Sequence, residues 1–209
     1  MSRRRNSKRQ SGHSGEYAVA NSIQRVLGHL PYRLYNDVYF EDAEGLPFQI
    51  DHLVLTPMGL LVVETKNWNG IVYGQPSEMQ WSFVPHGKGK IHQLYNPVLQ
   101  NERHVAKLRS VLGDTLPMTP CVVFAHPFGE LQIGLGMTDR VFTRAWFEAF
   151  LAQWMRRSPI LDECEMEVWH QKITAARRVD EEMIGRQRNY ARELRRLRKA
   201  RKGAIGYAD

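Results

Sequence analysis

Three residues stand out by type and spacing: Asp51, Glu64 and Lys66. Glu64 and Lys66 lie two apart in the run LLVVETKN (60–67), and Asp51 sits inside the run FQIDHLVL (48–55). Both runs read as strands, and TPMG between them reads as a turn, so the two form a β-hairpin. Strand alternation puts Gln49, Asp51, Leu53 and Leu55 on one face and Ile50, His52 and Val54 on the other. In the second strand Leu60, Val62, Glu64 and Lys66 share a face. Both faces are apolar over most of their length, so both strands are expected to be covered on both sides. Charges in such strands are costly unless neutralised, paired or bound to metal. Two carboxylates and a lysine on adjacent strands are what hydrolysis of a phosphodiester needs. The carboxylates hold a hard cation through oxygen, which polarises the phosphate and acidifies a bound water. The lysine positions that water and offsets charge developing in the transition state. The plainer alternative is a Glu64–Lys66 pair at an exposed strand end, with Asp51 opening a turn.

The surrounding elements must hold this hairpin in place. Ser14 can cap a helix over about 15–29, with Ala20, Ile23 and Leu27 as its apolar stripe. Residues 32–40 read as a strand, and 70–75 and 79–84 as two short ones. Asn96-Pro97 is a helix start, with an Asn cap and Pro at the first position, and the helix stops at Gly113. PCVVFA (120–125) is a buried-strand pattern, while 131–135 and 140–142 are weaker strands. Thr143 caps a helix over 144–157, and 162–201 reads as one or two long helices. This order of helix, strands, helix and strand argues for an α/β domain with a mixed sheet.

The ordered set Asp51, Glu64-Thr65-Lys66 resembles the D…(D/E)xK signature of the restriction-endonuclease-like superfamily. The wider set is Gly15-Glu16, Gln49-Ile50-Asp51-His52, Val63-Glu64-Thr65-Lys66-Asn67-Trp68 with Gly70, Trp81, and Asn96-Pro97-Val98-Leu99-Gln100-Asn101. It is similar to the nuclease-related domain (NERD) family over roughly residues 14–125. The resemblance implies a restriction-endonuclease-like core, a mixed central sheet flanked by helices, followed here by a basic C-terminal helical extension. It implies hydrolysis of phosphodiester bonds with Mg²⁺ or Mn²⁺. It also places Glu16 as a further metal or water ligand and brings Gln100 to the site.

Other residues carry two readings. Glu16 is in register with Ala20, Ile23 and Leu27 and so faces inward, although an acid is favoured in any first helical turn. Gln49, two before Asp51, could contact the scissile phosphate or be a strand-end amide. His104 stands one turn after Gln100 and reads as a helix-surface residue. His52 faces away from Asp51, His126 reads as structural, and Trp68 and Trp81 read as packing residues. The loop His86-Gly87-Lys88-Gly89-Lys90 could touch a phosphate backbone. It lacks the GK[ST] opening of a P-loop, so nucleotide binding is rejected.

Composition bounds the rest. The chain has 209 residues, 43% hydrophobic and 24% charged, an ordinary globular balance. No apolar run reaches about eighteen residues, so no membrane span is expected. Nothing resembles a secretory leader, and Cys121 and Cys164 read as reduced thiols of a cytoplasmic protein. The net charge of +7 is unevenly spread. Residues 1–10 carry five basic residues and no acid, and residues 177–202 carry eleven basic and four acidic. The body between them is mildly acidic. Basic ends on such a body suit a polyanion. The expected division is a disordered basic arm (1–13), a nuclease domain (14–157) and a basic helical extension (158–209). The favoured partner is nucleic acid, DNA before RNA. The alternatives are a nucleic-acid-binding module that does not cleave and a protein that docks a partner through its basic C-terminal helix.

Overall fold

The structure is a computed structural model that describes residues 2–75, 77–87, 89–134, 139–178, 181, 184–187, 189–190, 192–193 and 196, with only the backbone described over 2–11. In chain order the elements are α1 (Ser2–Leu27), β1 (Arg33–Glu41), β2 (Pro47–Thr56), β3 (Gly59–Lys66), β4 (Gly70–Gly74), β5 (Gln80–Pro85), β6 (His92–Tyr95), α2 (Pro97–Leu112), β7 (Met118–Phe124), β8 (Glu130–Ile133), β9 (Val141–Thr143), α3 (Arg144–Trp154) and α4 (Glu163–Ala176).

Strands β1, β2, β3, β7 and β9 form one sheet in that order. Its first three strands are antiparallel and its last three are parallel. The apolar run of β3 explains its central place. Leu60 and Val62 enter a core shared with Val105 and Leu108 of α2 and with Met166, Trp169 and Ile173 of α4. Leu61 and Val63 enter a second core with Val19, Ile23 and Leu27 of α1 and with Phe147 and Leu151 of α3. Helices therefore cover both faces, as a strand apolar on both sides requires. This is a mixed α/β architecture consistent with a restriction-endonuclease-like core. A second, four-stranded mixed sheet (β6-β5-β4-β8) was not anticipated. It packs around Trp81, which is fully buried over Gly74, where an added Cβ would fall 2.3 Å from the indole. Trp68 packs against Phe83 and Phe124, so both tryptophans serve packing as expected.

Three boundaries differ from the sequence reading. Helix α1 begins at Ser2 and not at the Ser14 cap, so the stretch read as a basic arm continues the helix. It contains no proline and no β-branched residue to stop propagation. Strand β6 was missed because HQLY is too short and polar to announce itself; its pairing with β5 creates it. The long C-terminal helix is broken. Helix α4 ends where Arg177 turns extended, and Arg178 N–H donates to Tyr39 O at 2.8 Å, bridging to edge strand β1. Further along, Arg186 donates to Gly45 O at 2.9 Å and to Glu41 Oε1 at 3.2 Å. Most of 191–201, also expected to be helical, lies outside the described residues. Among the described residues no helix is long and apolar enough to cross a membrane.

Helix α2 starts as its sequence directs, with the Asn96 side chain accepting from Val98 N–H and Pro97 in the first turn. Its position on the sheet is set by Asn101. This fully buried amide donates from Nδ2 to Val62 O at 2.9 Å on β3 and to Cys121 O at 3.0 Å on β7. Asn101→Leu should cost about 1–3 kcal/mol in urea unfolding, because buried carbonyls lose their donor. An unchanged unfolding midpoint would show that apolar packing alone seats α2.

Candidate active site

Strands β2 and β3 pair from Thr56↔Gly59 as far as His52↔Val63. Beyond that point β2 stays paired with β1, and β3 with β7. The sheet forks there, and Asp51 and Glu64 are the first residues past the fork on neighbouring strands. Asp51 Oδ2 accepts from Thr65 N–H at 2.7 Å. The carboxylate thus takes the place of a backbone partner that the diverging strand no longer offers.

A local irregularity accompanies the fork. The β1–β2 register holds its count throughout, yet Asp37, which falls opposite Asp51, is absent from the ladder. Asp37 has φ 51°, in the left-handed region that Asp tolerates better than most residues. Around it the alternation slips. Tyr35 and Val38 on β1, and Leu53 and Ile50 on β2, all enter the same core although each pair is three residues apart. The strict alternation that set Ile50 opposite Leu53 is therefore corrected. Gln49 is turned to this irregularity, and its Nε2 donates to Asp37 Oδ1 at 2.6 Å.

Glu64 is only 5% exposed and fully engaged. Its Oε1 accepts from Lys66 Nζ and, at 2.8 Å, from Gln100 Nε2. Lys66 Nζ also donates to Gln100 Oε1 at 3.1 Å. His104 Nδ1 lies 3.4 Å from Glu64 Oε2. Asp51, Glu64, Lys66 and Gln100 are thus brought together by three elements. Placing His104 on the helix surface was incorrect, since it faces Glu64 one turn below Gln100. The signal was available, because residues four apart on a helix share a face.

The two carboxylates are pushed in opposite directions. Burial raises the Asp51 carboxyl well above the ordinary range, and the charge of Glu64 raises it further, against Lys66 and the Thr65 N–H. Burial also raises Glu64, but the Lys66 ammonium and His104 outweigh it and hold the carboxyl below the ordinary range. One member is ionised and the other tends to keep its proton, as for like charges crowded into a dry site. His52 is buried and bonded through Nδ1 to Asn36 Oδ1 at 2.8 Å, and burial lowers its pKa to about 4, so it stands as a neutral structural ring.

Glu16 comes from α1. Its pKa is raised mainly by burial, and it feels the charges of Asp37 and Glu64. Its carboxylate lies 3.3 Å from His13 Nδ1. Gly15 permits α1 to come this near, since a Cβ there would fall 2.6 Å from the Asn67 Cβ. Among the described residues no three carboxylate, imidazole or thiol groups converge as a ready metal cage. Asp51 and Glu64 nevertheless fit a hard cation. They are oxygen donors on neighbouring strands in a buried fork where burial and the Glu64 charge disfavour ionisation of Asp51, and Mg²⁺ commonly takes only one or two carboxylates and keeps several waters.

The residues of this fork fall within a stretch, 11–125, that matches the family model of the nuclease-related domain. The match covers more than half of the chain. The chain belongs to the NERD family. An uncharacterised protein of Bacillus anthracis is 31% identical over 121 residues, 58% of this chain and 55% of that protein, so the chain spans about half the length of the relative it matches. No solved structure matches. The NERD match ends at β7, leaving β8, β9, α3 and α4 outside it.

The charge balance of the fork has a measurable consequence in metal-free protein. With its folded pKa raised, Asp51 keeps a proton that the unfolded chain gives up above about pH 4. Stability is therefore lost as pH rises from the unfolded value through the folded one. Without divalent ions, Asp51→Asn should melt at a higher temperature than wild type at pH 7 and no higher at pH 4. A variant less stable than wild type at pH 7 would show that the Asp51 charge is not under strain.

Proposed function

We propose that this NERD domain is a metal-dependent nuclease that hydrolyses phosphodiester bonds, with DNA as its substrate. The observation that carries the reading is the pairing of Asp51 and Glu64 past the fork with Lys66 on the same strand as Glu64. Asp51 and Glu64 would hold Mg²⁺ or Mn²⁺, and Glu16, which feels the Glu64 charge, would serve as a further ligand for the cation or its water. The bound cation would supply Lewis-acid polarisation of the phosphate and a more acidic water. Lys66 places its ammonium beside Glu64, where it orients the attacking water and offsets charge growing on the phosphoryl oxygens. Gln100 holds both Lys66 and Glu64 and so fixes the direction of that ammonium. Gln49, bound to Asp37, stands at the other side of the fork, where it could meet the phosphate. A module that only binds nucleic acid would gain nothing from buried carboxylates that repel phosphate, and this favours cleavage over the non-cleaving alternative.

The test uses plasmid, linear DNA and RNA with Mg²⁺, Mn²⁺ or EDTA. Cleavage that requires the cation supports the proposal, while a gel shift without cleavage in any metal would replace it with the binding module. Lys66→Met should stay folded and still bind DNA and Mg²⁺, with single-turnover cleavage reduced on the order of 10²–10³-fold. Asp51→Asn should lose Mg²⁺ binding in calorimetry along with cleavage, because an amide is a poorer ligand for a hard cation. Near wild-type cleavage by Lys66→Met would remove the lysine from the mechanism.

The basic ends are proposed to add affinity and no chemistry. Residues 197–209 hold Arg198, Lys199, Arg201 and Lys202 against Asp209. Truncation after Arg196 should lower the slope of log affinity against log salt by up to about 3–4, with cleavage at low salt and saturating DNA retained. An unchanged slope would assign the tail to a protein partner.

A further inference from the structure

We infer that the edge of the sheet beyond Lys66 is a binding groove for unpaired nucleotides flanking the cleavage site. This rests on the nuclease reading for the scissile phosphate but on separate residues for the groove. Parallel strands β3, β7 and β9 end in register, with Lys66 beside Phe124 and Phe124 beside Thr143. The next residues on these three strands, Asn67, Ala125 and Arg144, all line a cavity of about 480 Å³ closed on one side by α1. Crevices outside the carboxyl ends of adjacent parallel strands are the common ligand sites of α/β sheets. This one begins one residue past the catalytic lysine, and Ala125 N–H is bonded to Lys66 O at 2.8 Å.

The cavity does not stop there. Pro127 also lines a second cavity of about 620 Å³, bounded by Asn69, His86 and Phe128, so the two adjoin at Pro127. The groove's chemistry is that of a nucleic-acid strand and not of a peptide or lipid. Arg144 offers a guanidinium for phosphate. Phe128 is 69% exposed, its ring 5.9 Å from that of groove-lining His126. An aromatic face left in water beside a cleft that carries a guanidinium suits base stacking, which accepts any base. It also selects for unpaired bases, because bases inside a duplex are already stacked. Glu130, a carboxylate on this groove, lies 3.7 Å from His86 Nε2.

The experiment measures fluorescence anisotropy of the full chain in EDTA with a single-stranded 12-mer, the same sequence as a blunt duplex, and the duplex with a single-stranded overhang. Phe128→Ala should weaken the single strand and the overhang on the order of 10-fold and leave the blunt duplex unchanged. Arg144→Ala should weaken single-strand binding and lower its salt slope by about one, whereas Arg144→Lys should keep the slope. Melting temperatures matching wild type show that the variants are folded, and Tyr17→Ala, an exposed aromatic on α1 that lines neither cavity, controls for general surface effects. Equal weakening of strand and duplex, or no weakening by either Phe128→Ala or Arg144→Ala, overturns the groove. Cleavage is read separately with Mg²⁺. A wild type that binds strands through Phe128 and Arg144 without cutting supports the groove and removes the nuclease reading. A wild type that cuts, with strand binding indifferent to both variants, does the reverse.

Discussion

The structure turns on an ionised carboxylate, Glu64, buried on the central strand β3, whose other residues up to it are apolar. Such a group is tolerated inside a protein only when opposite charge and hydrogen bonds replace the water it has lost. Lys66 comes from the same strand, but the rest of the compensation comes from α2 through Gln100 and His104. Helix α2 must therefore sit at a particular height above β3. Asn101 sets that height by reaching carbonyls on two strands, and Asn96 and Pro97 determine where the helix begins. The motif from Asn96 to Asn101 is thus as much part of the site as the strand residues are.

The fork is the second constraint. Two strands that part company leave backbone donors without partners, and buried donors are rarely left so. Asp51 answers the Thr65 N–H with its side chain, which pins that carboxylate in the gap next to Glu64. Asp37, directly across β1, absorbs the change in strand rotation through its left-handed backbone. The acidic character of the fork follows from geometry as well as chemistry, since both Asp residues mend the backbone where the sheet opens. The cost is the repulsion between Asp51 and Glu64, which entering positive charge relieves.

Elements outside the family match close the domain. Helix α4 completes the core beneath β1 and β2, pinned where the Tyr35 hydroxyl and His170 Nδ1 share a hydrogen bond of 2.6 Å, and burial raises the phenol pKa to about 12. Arg178 then adds a bridge to the outer edge of β1, which blunts an edge that could otherwise pair with another chain. Strand β9 and helix α3 finish the other side and supply Arg144 at the sheet's carboxyl edge.

Much of this was legible in the chain alone. The runs FQIDHLVL and LLVVETKN announce buried strands because apolar residues fill both parities, and a charge inside such a run stands out for the same reason. Asn96-Pro97 and Gly113 mark helix ends through backbone chemistry that depends on neighbours only a few residues away. What the sequence could not settle depends on long-range contact. The slip of alternation at Asp37 and Asp51 arises between two strands and leaves no trace in the spacing of either. Strand β6 exists because β5 offers it a ladder, and the break after α4 because Tyr39 offers Arg178 an acceptor. His104 gains its role only when α2 lies over Glu64. Local propensity and periodicity decided the elements; the partners each element found decided which side chains meet, because burial and pairing are properties of the packed chain.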